Sequence, residues 1–178
     1  MSKKVLILSG SPRRKGNSDL LCDEFARGAT ESGNSVEKVF LGDKKINYCL
    51  ACDGCRKTGV CVQKDDMKEI LDKMLAADVI VMATPIYFYS IDAQMKTCIE
   101  RTVPQYMNIS NKEFYFIVTA WDSEKAHFER TVECFRGFTE CLDGAVEKGI
   151  VYGLGVWKKG DVKANLAMKQ AYDYGKGV

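Results

Sequence analysis

A polar turn at residues 9–18 carries the first side chains whose types and spacing could bind a ligand. Its sequence is Ser-Gly-Ser-Pro-Arg-Arg-Lys-Gly-Asn-Ser, between a short apolar run and a segment with helical periodicity. A turn that joins a buried strand to a helix offers unpaired backbone N–H groups and the positive end of the helix dipole, which favour an anion. Hydroxyls, an amide and three cations add further donors. The turn therefore predicts a phosphate site; the alternative is a polar turn with a Ser or Asn helix cap.

The spacing of the glycines indicates which kind of phosphate fits. Gly10 and Gly16 enclose five residues and are followed by Asn17-Ser18, whereas a P-loop has four residues between its glycines and then Lys-Ser/Thr. The dinucleotide pattern G-x-G-x-x-G is also missing from the sequence. A terminal phosphate monoester is therefore a better candidate than a nucleoside triphosphate or a dinucleotide.

A second group is the aromatic segment at residues 84–90, which contains Tyr87, Phe88 and Tyr89 in a row. Three adjacent aromatic side chains on a loop cannot all enter one core, so some should line a cleft that accepts a flat ring. A subunit interface would explain exposed aromatic rings about as well. Together with a nearby phosphate site, this segment predicts a nucleotide-like ligand with an aromatic headgroup.

The third group consists of four cysteines within thirteen residues, Cys49, Cys52, Cys55 and Cys61. Compact C-x2-C-x2-C runs supply the thiolates of iron–sulfur clusters, and this spacing favours a cubane-type cluster. Structural zinc sites more often use two well-separated C-x2-C pairs. Three interpretations remain open: a cluster, a zinc or redox-active dithiol site, and a cysteine loop that binds nothing.

The elements that must position these groups follow from the pattern of apolar residues. Apolar runs typical of strands occur at residues 5–8, 36–41, 79–83, 114–120 and 146–152, and helical periodicity occurs at 17–32, 67–75, 95–103, 128–142 and, more weakly, 161–174, where Asp161 is the expected N-cap. Alternation of strands and helices predicts a parallel sheet covered on both faces. We expect a flavodoxin-like, doubly wound, five-stranded sheet in a three-layer α/β/α fold. Residues 1–178 should form one domain, with a cysteine-rich loop at 43–64.

In such a sheet the loops at the carboxyl ends of the strands bind ligands, and all three groups lie on those loops. The chain has 178 residues and a net charge of only +2, which argues against a nucleic-acid partner. The sequence contains no run of about 20 apolar residues, and we expect no signal peptide, because the apolar run at residues 5–8 is too short for one. We therefore expect a cytoplasmic protein with no membrane partner, in which the eight cysteines do not form a disulfide framework.

The remaining candidates suggest little chemistry of their own. Cys22, Cys98, Cys134 and Cys141 fall in helical patterns and are predicted to be buried apolar residues. His127 is the single histidine and is expected to be solvated, which leaves a hydrolase triad with little support. No side chain is assigned as a catalytic acid or base.

Taken together, the motifs resemble a known family. They are Gly10-Ser11-Pro12-Arg13 with Gly16-Asn17-Ser18, the cysteine loop leading to Asp65-Asp66-Met67, and Ala77-Asp78 with Thr84-Pro85-Ile86-Tyr87-Phe88. In this combination the sequence resembles the iron–sulfur flavoprotein branch of the NAD(P)H-dependent FMN reductase family, along most of the chain. The resemblance implies a flavodoxin-like fold, bound FMN and NAD(P)H as a possible electron donor.

The resemblance also implies which residues hold the cofactors. The FMN phosphate would be held by Ser9, Ser11, Pro12, Arg13, Asn17 and Ser18, and the isoalloxazine by Pro85, Ile86, Tyr87, Phe88, Thr119, Ala120 and Trp121. In the cluster-bearing branch, four cysteines at the spacing of Cys49, Cys52, Cys55 and Cys61 ligate a [4Fe–4S] centre. Members often assemble as homodimers or homotetramers and exchange electrons with small-molecule or protein redox partners.

Four functions are consistent with these features. The first is an FMN-dependent oxidoreductase that transfers electrons between a donor and an acceptor, with a cluster relaying single electrons. The second is a cluster-free NAD(P)H-dependent FMN or quinone reductase. The third is a non-enzymatic electron carrier, although such carriers are typically acidic. The fourth is a zinc-binding interaction module.

Overall fold

Five apolar segments form the strands of one parallel sheet in a computed structural model that describes residues 2–178. The strands are Lys4–Ser9 (β1), Ser35–Phe40 (β2), Val79–Pro85 (β3), Glu113–Thr119 (β4) and Val146–Gly153 (β5). Every neighbouring pair is parallel, in the order β2-β1-β3-β4-β5. The predicted flavodoxin-like, three-layer fold is confirmed, and each predicted strand lies within two residues of its observed bounds.

Within residues 2–178, six helices follow or precede these strands. They are Asn17–Glu31 (α1), Gly54–Thr58 (α2), Met67–Ala76 (α3), Ala93–Glu100 (α4), Glu129–Thr139 (α5) and Ala167–Lys176 (α6), with short 3-10 turns at Leu41–Asp43, Tyr106–Asn108, Lys125–Phe128 and Asp161–Ala164. Because consecutive residues of a strand face opposite sides, Leu6 and Leu8 pack toward α3, α4 and α5, whereas Val5 and Ile7 pack toward α1 and α6. Two hydrophobic cores therefore enclose the sheet.

Helices α1 and α6 pack at a close backbone contact. A Cβ atom at Gly28 would overlap the carbonyl oxygen of Tyr172, and one at Gly175 would overlap the carbonyl oxygen of Phe25. Only glycine permits backbones to approach this closely at both positions. The contact fixes the C-terminal helix against the helix that begins at the polar turn of residues 9–18.

Several predicted details are wrong. Helix α4 ends at Glu100, so Val103 lies beyond it and is half exposed. The C-terminal segment predicted to be helical, residues 161–174, is not one helix, because the 3-10 turn at Asp161–Ala164 is separate from α6. Asp161 does not cap a helix; its carboxylate accepts the backbone N–H groups of Trp157 and Lys158.

The predicted burial of the four cysteines outside the cysteine loop is confirmed for two of them. Cys22 and Cys98 are buried as predicted, and burial raises the pKa of the Cys98 thiol to about 12. Cys134 is only partly buried, because it packs at the edge of the core, and Cys141 is exposed. Within residues 2–178, none of the helices has the length and apolar character needed to cross a bilayer.

Candidate functional site

A cavity of about 520 Å³ opens at the carboxyl ends of the strands. Its walls are Ser11, Arg13, Gly16, Asn17 and Ser18 before α1, Pro85, Ile86, Tyr87, Phe88 and Tyr89 after β3, Thr119, Ala120, Trp121, Asp122 and Phe128 after β4, and Val156, Trp157 and Lys159 after β5. The polar turn and the aromatic segment predicted from the sequence therefore share one cavity. This is the size and position of a small-molecule site in a doubly wound sheet.

The N-terminus of α1 carries polar groups without protein partners. Gly16 occupies the cap position, and no side chain caps the first turn of the helix. The Ser18 hydroxyl is buried, and nothing within residues 2–178 hydrogen-bonds to it. A buried polar group without a partner is costly unless a ligand or water satisfies it. An anion with several oxygen acceptors would satisfy both this hydroxyl and the free N–H groups of the helix.

Asp19, which the sequence analysis missed, shapes the turn. Its carboxylate accepts the Lys15 backbone N–H at 2.7 Å and the Ser9 hydroxyl at 3.1 Å, and it pairs with Lys38 at 2.9 Å. Lys15 has a φ of 55°, a left-handed conformation that a non-glycine residue adopts only under constraint. Asp19 therefore holds the turn open around the cavity, and its position two residues into the helix was the only signal in the sequence.

Not every predicted phosphate ligand reaches the cavity. Ser9 is committed to Asp19, and neither Ser9 nor Pro12 is part of the cavity wall. Arg14 turns away to pair with Asp43, whereas Arg13 lines the cavity. The prediction that Ser11, Arg13 and Ser18 contact a phosphate remains open, and the structure brings these three residues together.

The aromatic segment forms a tight hairpin at the cavity mouth. Tyr87 and Ser90 exchange backbone hydrogen bonds of 3.2 and 3.1 Å. Phe88 and Tyr89 between them both have positive φ, 50° and 60°, as in a type I′ turn. Glycine and asparagine are the usual residues there, so two aromatic residues store strain at this position. Phe88 is fully exposed, and Tyr87 and Tyr89 are about half exposed while lining the cavity.

The loops after β4 and β5 complete the wall. The Ile86 N–H donates to the Thr119 carbonyl oxygen at 2.8 Å, which ties the hairpin to the end of β4. Trp121 and Trp157 both line the cavity and leave most of their surface exposed. The position of Trp157 could not be predicted from the sequence, because contacts with residues distant along the chain place its loop.

His127 lies outside the cavity wall and contacts Asp122. Its Nδ1 lies 2.6 Å from a carboxylate oxygen of Asp122, and half of its side chain is exposed. The predicted solvated environment is confirmed. Hydrogen bonds from the Glu124 backbone N–H and from His127 hold the pKa of Asp122 below its usual range.

The cysteine loop follows β2, at the same carboxyl-terminal edge of the sheet as the main cavity. All four predicted ligands, Cys49, Cys52, Cys55 and Cys61, line one small cavity of about 50 Å³, with Arg101 and Val103 on its far wall. The first two are exposed and the other two are partly exposed. In the part of the chain from residue 2 onward, no three Cys, His, Asp or Glu side chains are already arranged as a metal site. The donor set suits iron or zinc, but the sulfur atoms must converge further to share a metal.

Arg101 supports this loop from beneath. Its guanidinium is almost fully buried and bonds to both carboxylate oxygens of Asp65 at 2.7 and 3.0 Å, to the Asn47 carbonyl oxygen at 2.5 Å and to the Cys61 sulfur at 3.4 Å. Burial raises the pKa of the Asp65 carboxyl, but the hydrogen bonds from Arg101 and from the backbone N–H groups of Asn47 and Met67 outweigh it and hold that pKa below its usual range. The loop is thus anchored at both ends of its cysteine run.

Relatives of this chain carry iron–sulfur flavoprotein names. The family described as NADPH-dependent FMN reductase matches residues 3–133. An iron–sulfur flavoprotein of Archaeoglobus fulgidus is 42% identical over 101 residues, which are 57% of this chain and 46% of that protein. An iron–sulfur flavoprotein of Methanosarcina thermophila is 38% identical over 100 residues, which are 56% of this chain and 52% of that protein. The chain spans about half the length of these curated relatives.

Solved structures share the fold. An NAD(P)H:quinone oxidoreductase from Methanothermobacter marburgensis has a TM-score of 0.74 at 17% identity, over 99% of this chain and 97% of that one. An FMN-dependent NADH-azoreductase from Bacillus anthracis, in complex with FMN, has a TM-score of 0.74 at 16% identity, over 98% of both chains. At these identities the likeness concerns the fold alone.

The residues of the main cavity also fit FMN, since the unpartnered Ser18 hydroxyl and the uncapped helix suit its phosphate, and the aromatic hairpin suits its ring system. The chain belongs to the family described as NADPH-dependent FMN reductase.

Proposed function

We propose that this protein transfers electrons from NAD(P)H or another reduced carrier, through FMN held in the main cavity, to a small-molecule or protein acceptor. The observation that carries the proposal is the buried Ser18 hydroxyl, which lacks a partner within residues 2–178 and lines the cavity at the start of α1. A phosphate oxygen supplies the missing acceptor. Arg13, on the same wall, supplies a positive charge.

The ring system of FMN would lie at the aromatic end of the cavity. Tyr87, Tyr89 and Trp121 present flat apolar surfaces there, and Pro85 lies at the end of β3 behind them. Such surfaces stack on a planar ring and exclude water from one side of it. The exposure of these side chains leaves the opposite side open to a donor or an acceptor.

The chemistry comes from the cofactor, because FMN accepts a hydride and can release electrons one at a time. The protein binds the phosphate, orients the ring and limits the access of water. No acid or base among the described side chains is needed for these steps. His127 is occupied by Asp122, which is consistent with the absence of an assigned catalytic residue.

We further propose that the cysteine loop holds a [4Fe–4S] cluster. Support comes from the spacing of Cys49, Cys52, Cys55 and Cys61, from their shared small cavity and from the names of the relatives. Arg101 donates to the Cys61 sulfur, and hydrogen bonds to sulfur ligands favour the reduced state of a cluster. The cluster would then relay single electrons at the same carboxyl-terminal edge of the sheet as the flavin.

The second candidate is a cluster-free NAD(P)H-dependent FMN or quinone reductase. It is favoured by one observation, namely that the described cysteines are not already arranged around a common point. In this case the four thiols have no role in electron transfer. A zinc module or a simple carrier finds no comparable support, since the cavity suits a flavin and the net charge is +2.

A visible spectrum of protein purified without oxygen, recorded before and after NADPH, tests these proposals together. We expect flavin absorbance that NADPH bleaches, and a broad additional absorbance from iron and sulfide. Cys52→Ser should remove only the broad absorbance and the bound iron, and Arg13→Ala should reduce the amount of retained flavin. Flavin without iron would support the cluster-free reductase. A colourless protein that fails to bind FMN in titration would overturn the flavin assignment.

A further inference from the structure

The segment at residues 154–162, called the β5 loop below, is anchored at its first part to the loop after β4. The Gly155 N–H donates to the Asp122 carbonyl oxygen at 3.1 Å, and the Val156 N–H donates to the Ala120 carbonyl oxygen at 2.9 Å. Both partners line the main cavity. The β5 loop therefore starts at the aromatic end of the site.

Its second part is anchored to the start of α1. The Asn17 side-chain amide donates to the Lys158 carbonyl oxygen at 3.0 Å, and the amide oxygen accepts the N–H of Gly160 at 3.0 Å. The Asp161 carboxylate closes the same loop on the Lys158 N–H at 2.6 Å. Asn17 was predicted as a phosphate ligand, but its side chain is already occupied by these bonds. It acts as the attachment point of a loop more than 140 residues away in sequence.

These two anchors hold Trp157 and Lys159 on the cavity wall. The carbonyl that bonds Asn17 belongs to Lys158, so Lys159 lies next to the uncapped N-terminus of α1. No carboxylate within residues 2–178 forms a salt bridge with Arg13 or Lys159, whereas Arg14 is paired with Asp43. The cavity wall therefore carries two cations that form no salt bridge within residues 2–178.

A phosphate monoester carries about 1.5 to 2 negative charges near neutral pH. Arg13 alone leaves part of this charge without a cation, and a second cation on the opposite side of the turn would balance it. The family match ends at residue 133, so the whole β5 loop lies beyond it. A contact between Lys159 and the phosphate would therefore come from a part of the chain that lies outside the family match.

We propose that Lys159 is a second cation for the phosphate of FMN, and that Asn17 is a positioning residue that holds the β5 loop in place for this contact. The proposal rests on the proposed binding of FMN. Asn17 acts through the loop backbone, and Lys159 acts on the ligand. Trp157, between the two anchors, reports on the position of the loop.

The test is a titration of the flavin-free protein with FMN and, separately, with riboflavin, which lacks the phosphate. Lys159→Gln should weaken FMN binding roughly tenfold, as expected for the loss of one partly exposed charge-assisted contact, and should leave riboflavin binding unchanged. Lys158→Gln is the matched control, because Lys158 has the same charge one residue away but does not line the cavity. It should bind FMN like the wild type.

Asn17→Ala should also weaken FMN binding and should shift the fluorescence of Trp157, which Lys159→Gln should not shift. The double variant should lose less than the sum of the two single losses, because both act on one contact. If wild-type protein binds FMN but Lys159→Gln has unchanged affinity, or loses riboflavin equally, the inference is wrong. If the wild type binds neither flavin, the proposed function itself fails.

Discussion

Ser18 and Ser9 are buried serines at the same turn, but only the Ser9 hydroxyl has a partner. Ser18→Ala removes an unsatisfied hydroxyl, so the free energy of unfolding of the flavin-free protein should stay the same or rise by up to about 1 kcal/mol. The affinity for FMN should fall roughly tenfold, because a phosphate contact is lost. Urea denaturation without flavin and FMN titration measure the two effects.

Ser9→Ala is the matched control, with the opposite expectation. It breaks a buried hydrogen bond to Asp19 and should lower the free energy of unfolding by about 1 kcal/mol. Its effect on FMN affinity should be smaller than that of Ser18→Ala, because Ser9 is not part of the cavity wall. A Ser18→Ala variant that loses stability and keeps its FMN affinity would contradict the assignment of Ser18.

Arg101 and Asp65 form the most buried ion pair at the cysteine loop, with side chains only 2% and 4% exposed. Arg101→Gln leaves the Asp65 carboxylate without its cation and should lower the free energy of unfolding by about 3 kcal/mol. Arg56→Gln, which breaks an exposed pair with Asp53 on the same loop, should change it by less than about 1 kcal/mol. Urea denaturation of the three proteins measures the difference.

The pH dependence of this effect follows from the lowered pKa of Asp65. A carboxyl group with a lowered pKa in the folded state stabilises the fold above its unfolded pKa of about 4, and this contribution is lost as the pH falls through the folded value. The difference in the free energy of unfolding between the wild type and Arg101→Gln should therefore be largest near neutral pH and smaller in acid. A gap that stays constant across this range would show that Arg101 stabilises the fold by packing alone.

At the scale of elements, Asp92 joins the start of α4 to the end of β3. Its carboxylate accepts the Met95 N–H at 3.0 Å and the Thr84 hydroxyl at 2.7 Å, and a Cβ atom at Gly10 would overlap it. Burial raises the pKa of Asp92 more than these hydrogen bonds lower it. A raised pKa stabilises the fold below the unfolded pKa of about 4, and the contribution is lost as the pH rises through the folded value.

Asp92→Asn should therefore reduce the pH dependence of the free energy of unfolding between about pH 4 and the pKa of Asp92 in the folded protein. The amide oxygen can still accept the Met95 N–H, and the amide N–H group can donate to the Thr84 hydroxyl, so stability at neutral pH should be equal or higher. Relative to Asp92→Asn, Asp92→Ala should lose about 1 kcal/mol at every pH, because it removes the cap. Equal destabilisation by both variants in thermal unfolding at several pH values would refute this role of the charge.

The elements that local pattern determines were predictable. Strands β1 and β3 are continuous apolar runs because both of their faces are covered, and α3 has apolar residues at each turn that faces the core. The polar turn at residues 9–18 lies between β1 and α1 as predicted, and its binding of a phosphate stays a prediction. In contrast, the β5 loop is placed by Asn17, and the base of the cysteine loop by Arg101. Such contacts join residues far apart in sequence, which periodicity and spacing do not record.

Contacts between distant residues also determine which of the predicted phosphate ligands are free to bind a ligand. Ser9, Asn17 and Arg14 have the right chemistry for a phosphate, but each side chain is already committed to another part of the chain. Residue type and loop position indicate this group of donors as a whole, whereas the side chains that stay free depend on contacts with Asp19, Asp43 and the β5 loop. Lys159 and Trp157 were missed because their loop has no motif of its own.

At the scale of the whole molecule, the aromatic hairpin is a candidate surface for binding a second copy of the chain. Phe88 is fully exposed at its tip, beside Tyr89 and Trp121, which also leave at least half of their surface in solvent. Clustered exposed aromatic residues are typical of interfaces rather than of free surfaces. We predict that the protein forms a homodimer or homotetramer through this hairpin.

Phe88→Asn tests this prediction, because asparagine suits the positive φ of the turn while it removes the apolar ring. The free energy of unfolding of the subunit should stay the same or rise, and the mass measured by light scattering should fall toward that of one chain, 19.9 kDa. Leu166→Asn removes an equally exposed apolar side chain just before α6 and should leave the mass unchanged. A Phe88→Asn variant that keeps the wild-type mass, or a wild type that is itself monomeric, would exclude the hairpin as the interface, since relief of backbone strain alone does not dissociate an assembly.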